Sequence, residues 1–188
     1  MQRTEFLSVI GSLMFAATTC RPDLCFTVST LAQASADPRR IHMTAAVRAL
    51  RYLIDTKHFV LRYDRRMGAE VVGYSDADWA SEADAKSRAA FVFKLGGGVF
   101  GWASRKLQSI STSTTVAEYK ALSEAAKEAV WLKQLLEEIG QGQDAIVLHC
   151  DNQSSIKLSC KLSRLNQKIK HLKVAWHYIK QAVEDGDV

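Results

Sequence analysis

Three acidic residues stand where an apolar element ordinarily carries an apolar side chain or a simple cap. Asp76 follows the apolar run 71–75, Asp151 follows the apolar run 145–150, and Glu118 lies on the apolar stripe of a long helical pattern. Ionised carboxylates that are buried together repel one another, and burial without a partner is costly for each of them. A divalent cation relieves that repulsion. The three acids therefore indicate a metal site, provided that the fold brings them together.

Carboxylate oxygens are the ligands that Mg²⁺ takes in proteins, and the ion keeps waters that substrate phosphates can displace. The chemistry that this ligand set suggests is hydrolysis of a phosphodiester by two Mg²⁺ ions about 4 Å apart, with Mn²⁺ as a substitute. One ion activates the attacking water and the other steadies the leaving oxygen. Asp76, Glu118 and Asp151 are thus the candidate catalytic and metal-binding residues.

Each acid also has an ordinary structural explanation when it is taken alone. Asp76 and Asp151 follow strand-like runs, where an acid commonly caps the next turn or helix. Glu118 fits a capping box that starts at Thr115, in which the glutamate accepts a hydrogen bond from the first backbone N–H of the helix. The sequence leaves these alternatives open, although they explain the three acids together poorly.

The elements that must position these acids follow from the apolar spacing along the 188 residues. Residues 1–66 show apolar residues three or four apart, interrupted before Pro22 and Pro38, which predicts a small helical unit. Residues 67–188 show strand-like runs at 71–75, 90–95 and 99–102 and a buried strand at 145–150, with a glycine hairpin turn at 96–98. Helical patterns cover 115–139, 154–160 and 168–183. This order predicts an α/β domain with a mixed sheet flanked by helices.

Charge and cysteine usage narrow the class of protein. The net charge is +5; seven Lys or Arg and no acid lie between residues 152 and 183, and eight basic residues lie between 39 and 66. A solvated helix face explains either stretch, while Trp176 and Tyr178 within the first stretch would suit a polyanion with exposed bases. The four cysteines lack paired zinc-site spacing, which predicts buried thiols. No apolar run is long enough to cross a membrane and no signal peptide is present, so we expect an intracellular chain.

Several motifs in this order resemble the ribonuclease H domain of copia-type retrotransposon Pol polyproteins. The resemblance rests on the segments 73–79, 91–98, 117–119, 123–129, 150–154 and 170–171. Upstream, the segments 10–14, 21–23 and 51–53 resemble part of the reverse transcriptase connection segment of the same polyproteins. The likeness spans nearly the whole chain.

The resemblance implies a ribonuclease H-like mixed sheet over 67–188 and a connection segment over 1–66. It also implies Mg²⁺-dependent hydrolysis of the RNA strand of RNA–DNA hybrids during retrotransposon replication, with Asp76, Glu118 and Asp151 as three of the four metal-binding carboxylates of the family. The partners would be the hybrid, the reverse transcriptase and other parts of the same polyprotein, in the cytoplasm within virus-like particles. Nucleic-acid contacts would come from Asn152, Gln153, Lys168, Lys170 and His171.

The fourth carboxylate of the family lies on a final helix that follows one more strand. The present sequence reaches Val188 before either element, so we expect the domain to be truncated and its hydrolytic activity to be impaired. The alternative is a non-catalytic nucleic-acid-binding or structural remnant of a retrotransposon Pol protein. Binding of hybrid that is unaffected by Mg²⁺ or by Asp76→Asn would favour that alternative.

Overall fold

A computed structural model describes residues 3–81, 84–160 and 172–188 of the chain. The chain divides into two compact units, Met1–Arg62 and Tyr63–Val188. The change from helix-like to strand-like sequence patterns predicts a boundary at 66/67, four residues later than the boundary between these two units. No helix among the described residues is both long enough and apolar enough to traverse a bilayer.

The first unit consists of three helices, α1 (Arg3–Thr19), α2 (Cys25–Ala32) and α3 (Arg40–Asp55). Short 3-10 turns at Pro22–Leu24 and Gln33–Ser35 follow α1 and α2. Pro22 lacks a backbone N–H, so it begins a new turn and cannot extend α1. The helices bury an apolar core made of Phe6, Ile10, Leu13, Ala17, Leu24, Val28, Leu31, Ala46 and Ala49.

A buried arginine lies at the end of α1. Arg21 is only 5% exposed, and its guanidinium forms an ion pair of 2.7 Å with Asp23. The same guanidinium donates to Thr56 and stands over the rings of Tyr52 and Phe59. The hydrogen bond from Arg21 is the main cause that lowers the pKa of Asp23. The cation is therefore fully engaged, as burial of a charge requires.

The second unit has a four-stranded sheet in the order β3-β2-β1-β4. The strands are β1 (Val72–Asp78), β2 (Arg88–Leu95), β3 (Gly98–Lys106) and β4 (Val147–Cys150), and a 3-10 turn at Arg65–Met67 precedes them. β2 is antiparallel to both of its neighbours, whereas β1 and β4 are parallel. The helices are α4 (Thr114–Glu138), α5 (Gln153–Cys160) and α6 (Lys173–Glu184). The predicted α/β class, with a mixed sheet flanked by helices after a helical segment, is confirmed.

One face of the sheet packs against α4. The core between them consists of Val71, Phe91, Phe93, Ala125, Ala129, Leu132 and Ile146. Gly73 on β1 lets the neighbouring side chains meet, since a Cβ there would lie 2.4 Å from Leu148 Cδ2 and 2.6 Å from Phe93 Cε1. Helix α6 packs on α4 through a second core, which contains Val116, Tyr119, Leu122, Ala126, Leu172, Trp176 and Ile179.

Three predictions about these elements were wrong in detail. The run 145–150 is not a buried strand, because β4 is an edge strand of the described sheet and Val147 is 54% exposed. β1 does not end before Asp76 but continues to Asp78. The prediction of uniformly buried thiols fails at Cys20, which is exposed, while Cys25 and Cys150 are half-buried. The predicted helix 168–183 is observed as α6 from Lys173; residues 168–171 lie outside the described part.

Candidate metal centre

The pairing of β1 with β4 brings two of the predicted acids to the same end of the sheet. Ser75 pairs with Cys150, and the two strands are parallel. Asp76 and Asp151 are therefore each one residue beyond the same pair. Because parallel strands run in the same direction, their carboxyl ends meet at one edge. Both side chains are exposed there.

Glu118 reaches the same region from the first turns of α4. The helix is capped by Ser113, whose Oγ accepts a hydrogen bond from the Val116 backbone N–H at 3.3 Å. The capping box that would begin at Thr115 is therefore wrong, since Thr115 already lies inside the helix. Glu118 is 5% exposed and takes no part in the cap. Its burial needs another explanation.

The middle of the loop that leads into α4 is hydrogen-bonded to residues on either side of the site. The Trp79 indole Nε1, just after β1, donates to the backbone oxygen of Ser111 at 2.9 Å. Lys120 Nζ donates to the backbone oxygen of Ile110 at 3.1 Å and to the Ser109 Oγ at 3.0 Å. These bonds connect the end of β1, which carries Asp76, with the start of α4, which carries Glu118.

The electrostatics of Glu118 reflect an acidic surrounding. The pKa of Glu118 is raised from 4.5 to about 7, mainly by burial and then by the charges of Asp76 and Asp151, against an opposing hydrogen bond from the Ala77 N–H. No cation is among these causes. The Glu118 Oε2 is buried and has no hydrogen-bond partner among the residues that the structure describes. A buried carboxyl oxygen without a partner, beside two other carboxylates, is the electrostatic setting that a cation would relieve.

A close group of ligand atoms among the described residues includes a residue that the sequence analysis did not propose. One ligand atom each from Glu118, Cys150 and Asp151 lie within 4.8 Å of one another. Asp76 is not in that group, although it is near enough to raise the pKa of Glu118. The position of Cys150 next to Asp151 was the available signal. The structure thus assembles two overlapping sets of ligands at one end of the sheet.

Two of the five residues predicted to contact nucleic acid, Asn152 and Gln153, are described in the structure. Asn152 caps α5, because its Oδ1 accepts a hydrogen bond from the Ser155 backbone N–H at 2.9 Å. Asn152, rather than Asp151, therefore performs the capping that was the alternative reading of Asp151. Gln153 is exposed at the start of α5. Lys168, Lys170 and His171 lie outside the described residues.

A groove with a basic lining lies between the end of the hairpin, α4 and α6. Its volume is about 620 Å³, and its cationic lining residues are Arg105, Lys106, Lys120 and Lys127. Asp84 pairs with Lys106 and Glu124 pairs with Lys127, so part of this charge is compensated. Arg105 is exposed. Sequence reasoning missed this groove, because its basic residues come from two different elements, the end of β3 and α4, and the sequence does not show that they face one space.

The fold and the site define an α/β domain with acids at the carboxyl ends of two parallel strands. The chain belongs to the family of copia-type retrotransposon Pol polyproteins. Over 188 residues, 98% of the chain, it is 37% identical to the Retrovirus-related Pol polyprotein from transposon TNT 1-94 of Nicotiana tabacum. Over 185 residues, 97% of the chain, it is 33% identical to the polyprotein from transposon RE2 of Arabidopsis thaliana. The chain spans only 14% and 13% of these two polyproteins.

Other comparisons include a short relative and two solved structures. The chain is 43% identical over 133 residues, 70% of its length, to Secreted RxLR effector protein 161 of Plasmopara viticola, and covers 94% of that protein. The RNase H domain of rv2228c from Mycobacterium tuberculosis is similar with a TM-score of 0.43 and 15% identity, over 61% of this chain and 76% of that one. LC11-RNase H1 from compost is similar with a TM-score of 0.45 and 17% identity, over 62% of this chain and 78% of that one. No family model matches the chain.

Proposed function

We propose that this chain is the ribonuclease H part of a retrotransposon Pol polyprotein, which hydrolyses the RNA strand of an RNA–DNA hybrid with two Mg²⁺ ions. Asp76, Glu118 and Asp151 hold these ions, and Mn²⁺ can replace them. The observation that carries the proposal is the meeting of Asp76, Asp151 and the buried Glu118 at one end of the sheet. The membership in the Pol family supports it independently.

The donor set fits a hard divalent cation. Carboxylate oxygens are the ligands that Mg²⁺ prefers, and the Glu118 Oε2 has no other partner in the described structure. When bound, the ions supply an activated water and stabilise the leaving oxygen. Asp76 and Asp151 are exposed and face the solvent from which a substrate arrives, whereas Glu118 anchors the site from the protein interior.

The remaining surface fits a polyanionic substrate. The net charge of +5 and the basic lining of the groove favour attraction of phosphates. Hybrids are recognised by groove shape and sugar contacts, so basic residues that track phosphates suffice for binding. We propose that Asn152 and Gln153, which follow Asp151, contact the hybrid. We propose the same for Lys168, Lys170 and His171, which are outside the described residues. In this proposal the chain works beside the reverse transcriptase in cytoplasmic virus-like particles.

The test uses an end-labelled RNA–DNA hybrid, with the matching DNA duplex and the single-stranded RNA as substrate controls. We expect cleavage of the RNA strand that requires Mg²⁺ and stops with a chelator. Asp76→Asn and Asp151→Asn should each lower the rate by at least about 100-fold, since removal of one electrostatic stabiliser costs about 10²–10³-fold. Asp144→Asn, the same change at an exposed position before β4, is the matched control and should leave the rate unchanged.

The outcome also separates the proposal from its alternative. Cleavage that persists in both Asp76→Asn and Asp151→Asn would place the chemistry elsewhere. Hybrid binding without cleavage, unchanged by Mg²⁺ and by Asp76→Asn, would identify a non-catalytic nucleic-acid-binding remnant. Full activity of residues 1–188 would overturn the expectation that the activity is impaired.

A further inference from the structure

The thiol of Cys150 is the element of the metal centre that the proposed hydrolysis does not use. Its Sγ belongs to the group of ligand atoms within 4.8 Å, together with Glu118 and Asp151. Cys150 ends β4 and is half-buried. The neighbouring Glu118 is only 5% exposed, and within the described part of the chain its Oε2 lacks a hydrogen-bond partner. A buried carboxyl group with one unpartnered oxygen therefore lies close to a thiol.

This combination of ligands differs in chemistry from the three carboxylates. Sulfur is a soft ligand that Mg²⁺ avoids, whereas Zn²⁺ accepts thiolate and carboxylate ligands together. We propose that Glu118, Cys150 and Asp151 form a binding site for a thiophilic divalent cation, represented by Zn²⁺. The cation replaces the thiol proton, which passes to solvent, and a water completes the coordination.

The geometry is close to what such a site requires. Zinc–oxygen and zinc–sulfur bonds of about 2.0 and 2.3 Å place tetrahedral ligand atoms roughly 3.5 Å apart. The ligand atoms lie within 4.8 Å of one another, so movements on the order of 1 Å would complete the site. Asp151 is exposed and can supply much of that movement by rotation of its side chain.

The site shares Glu118 and Asp151 with the proposed magnesium ligands, so the two kinds of cation exclude each other. Zinc should therefore inhibit hydrolysis by occupying ligands that magnesium needs. This inhibition rests on the proposed function, whereas the binding of zinc does not. The two claims therefore fail separately: zinc binding without any hydrolysis refutes only the proposed function, and hydrolysis without a sulfur-bound cation refutes only the zinc site.

The experiment measures the ligands of the cation directly. Cys20→Ser, Cys25→Ser and Cys160→Ser are combined, so that Cys150 is the remaining thiol, and the protein is loaded with Co²⁺ or Zn²⁺. We expect a sulfur-to-cobalt charge-transfer band, and one sulfur at about 2.3 Å in the zinc X-ray absorption spectrum. Adding Cys150→Ser should abolish the band and weaken zinc binding by at least about 10- to 100-fold, the loss seen even for outer-shell changes.

Two controls keep the result decisive. Circular dichroism and a urea midpoint show whether each variant is folded. The X-ray absorption spectrum of zinc in the single-thiol protein is the second control, because Glu118, Cys150 and Asp151 are all unaltered in that protein. A first shell without sulfur in that folded protein would overturn the proposal. A zinc affinity that Cys150→Ser leaves unchanged would overturn it as well. Zinc inhibition, measured for each variant against its own rate without zinc, should be reduced by Cys150→Ser.

Discussion

Replacement of Glu118 by glutamine should stabilise the metal-free protein at alkaline pH. The pKa of Glu118 rises from 4.5 to about 7 on folding, because the carboxyl is buried beside Asp76 and Asp151. The folded state therefore binds this proton more tightly than the unfolded state. The contribution of Glu118 to the free energy of unfolding consequently falls as the pH rises from 4.5 to about 7 and then stays constant.

The size of the effect follows from the same shift. Each pKa unit is worth about 1.4 kcal/mol, so the full shift sets a limit of about 3 kcal/mol. Because the carboxyl neighbours the exposed Asp151 and solvent screens the site, we expect about 1–2 kcal/mol for Glu118→Gln at about pH 8. For a chain of this length that corresponds to roughly 2–8 °C in the unfolding temperature. The difference from the unaltered protein should vanish near pH 4.

Thermal and urea unfolding in the presence of a chelator, over a series of pH values, measure this difference. Glu137→Gln is the matched control, because it removes the same charge from an exposed position of the same helix. Addition of Mg²⁺ should stabilise the unaltered protein by RT ln(1 + [Mg²⁺]/Kd), which grows with the logarithm of its concentration, and should leave Glu118→Gln nearly unchanged. A Glu118→Gln protein that is less stable than the unaltered one at about pH 8 would refute the assignment of Glu118 as a strained buried carboxyl.

Four further substitutions test the packing and the polar contacts of the two units. Gly73→Ala should destabilise the second unit by about 1–3 kcal/mol in urea unfolding, because its Cβ has no room, whereas Gly11→Ala in α1, with open space around it, should stabilise the first unit slightly. Arg21→Met should lower the free energy of unfolding by about 2–3 kcal/mol, because Asp23 loses the partner that lowers its pKa. In the unaltered protein the ionised Asp23 stabilises the fold at neutral pH, and acidification removes this contribution. In Arg21→Met the contribution should already be missing at neutral pH. Lys120→Ala should accelerate amide hydrogen exchange in the loop 109–111 without changing the free energy of unfolding by more than about 1 kcal/mol.

Much of the fold could be predicted from the sequence, because the patterns that indicate helices, strands and turns are local. The helical stripe that buries Glu118, the glycine turn at 96–98 and the proline break at Pro22 each depend on neighbours a few residues away. The edge position of β4 was not accessible, since an apolar run reads alike in the centre and at the edge of a sheet. Whether a strand is covered depends on which other strands pair with it.

The site shows the same division. The sequence predicts that Asp76, Glu118 and Asp151 approach one another, because each follows or interrupts an apolar pattern. It does not predict that the Cys150 thiol lies close to the Glu118 carboxyl group. The alternation of side chains along a strand indicates which face of the sheet a side chain is on, but not which residue of a helix packs against it. The capping of α4 by Ser113 rather than through Thr115 was equally hidden, because both residues carry a hydroxyl and the sequence does not say which of them precedes the first helical residue.

The parallel pair of β1 and β4 also has a kinetic meaning. It joins Val72 to Val147, 75 positions further along the chain, whereas β1, β2 and β3 are linked by hairpins of short range. Closing so long a loop is slow, so we expect this pair to form late in folding. The step that completes the sheet is then also the step that forces Asp76 and Asp151 together against their repulsion. Under the proposed binding of Mg²⁺, a cation present during refolding would therefore stabilise the product of that last step.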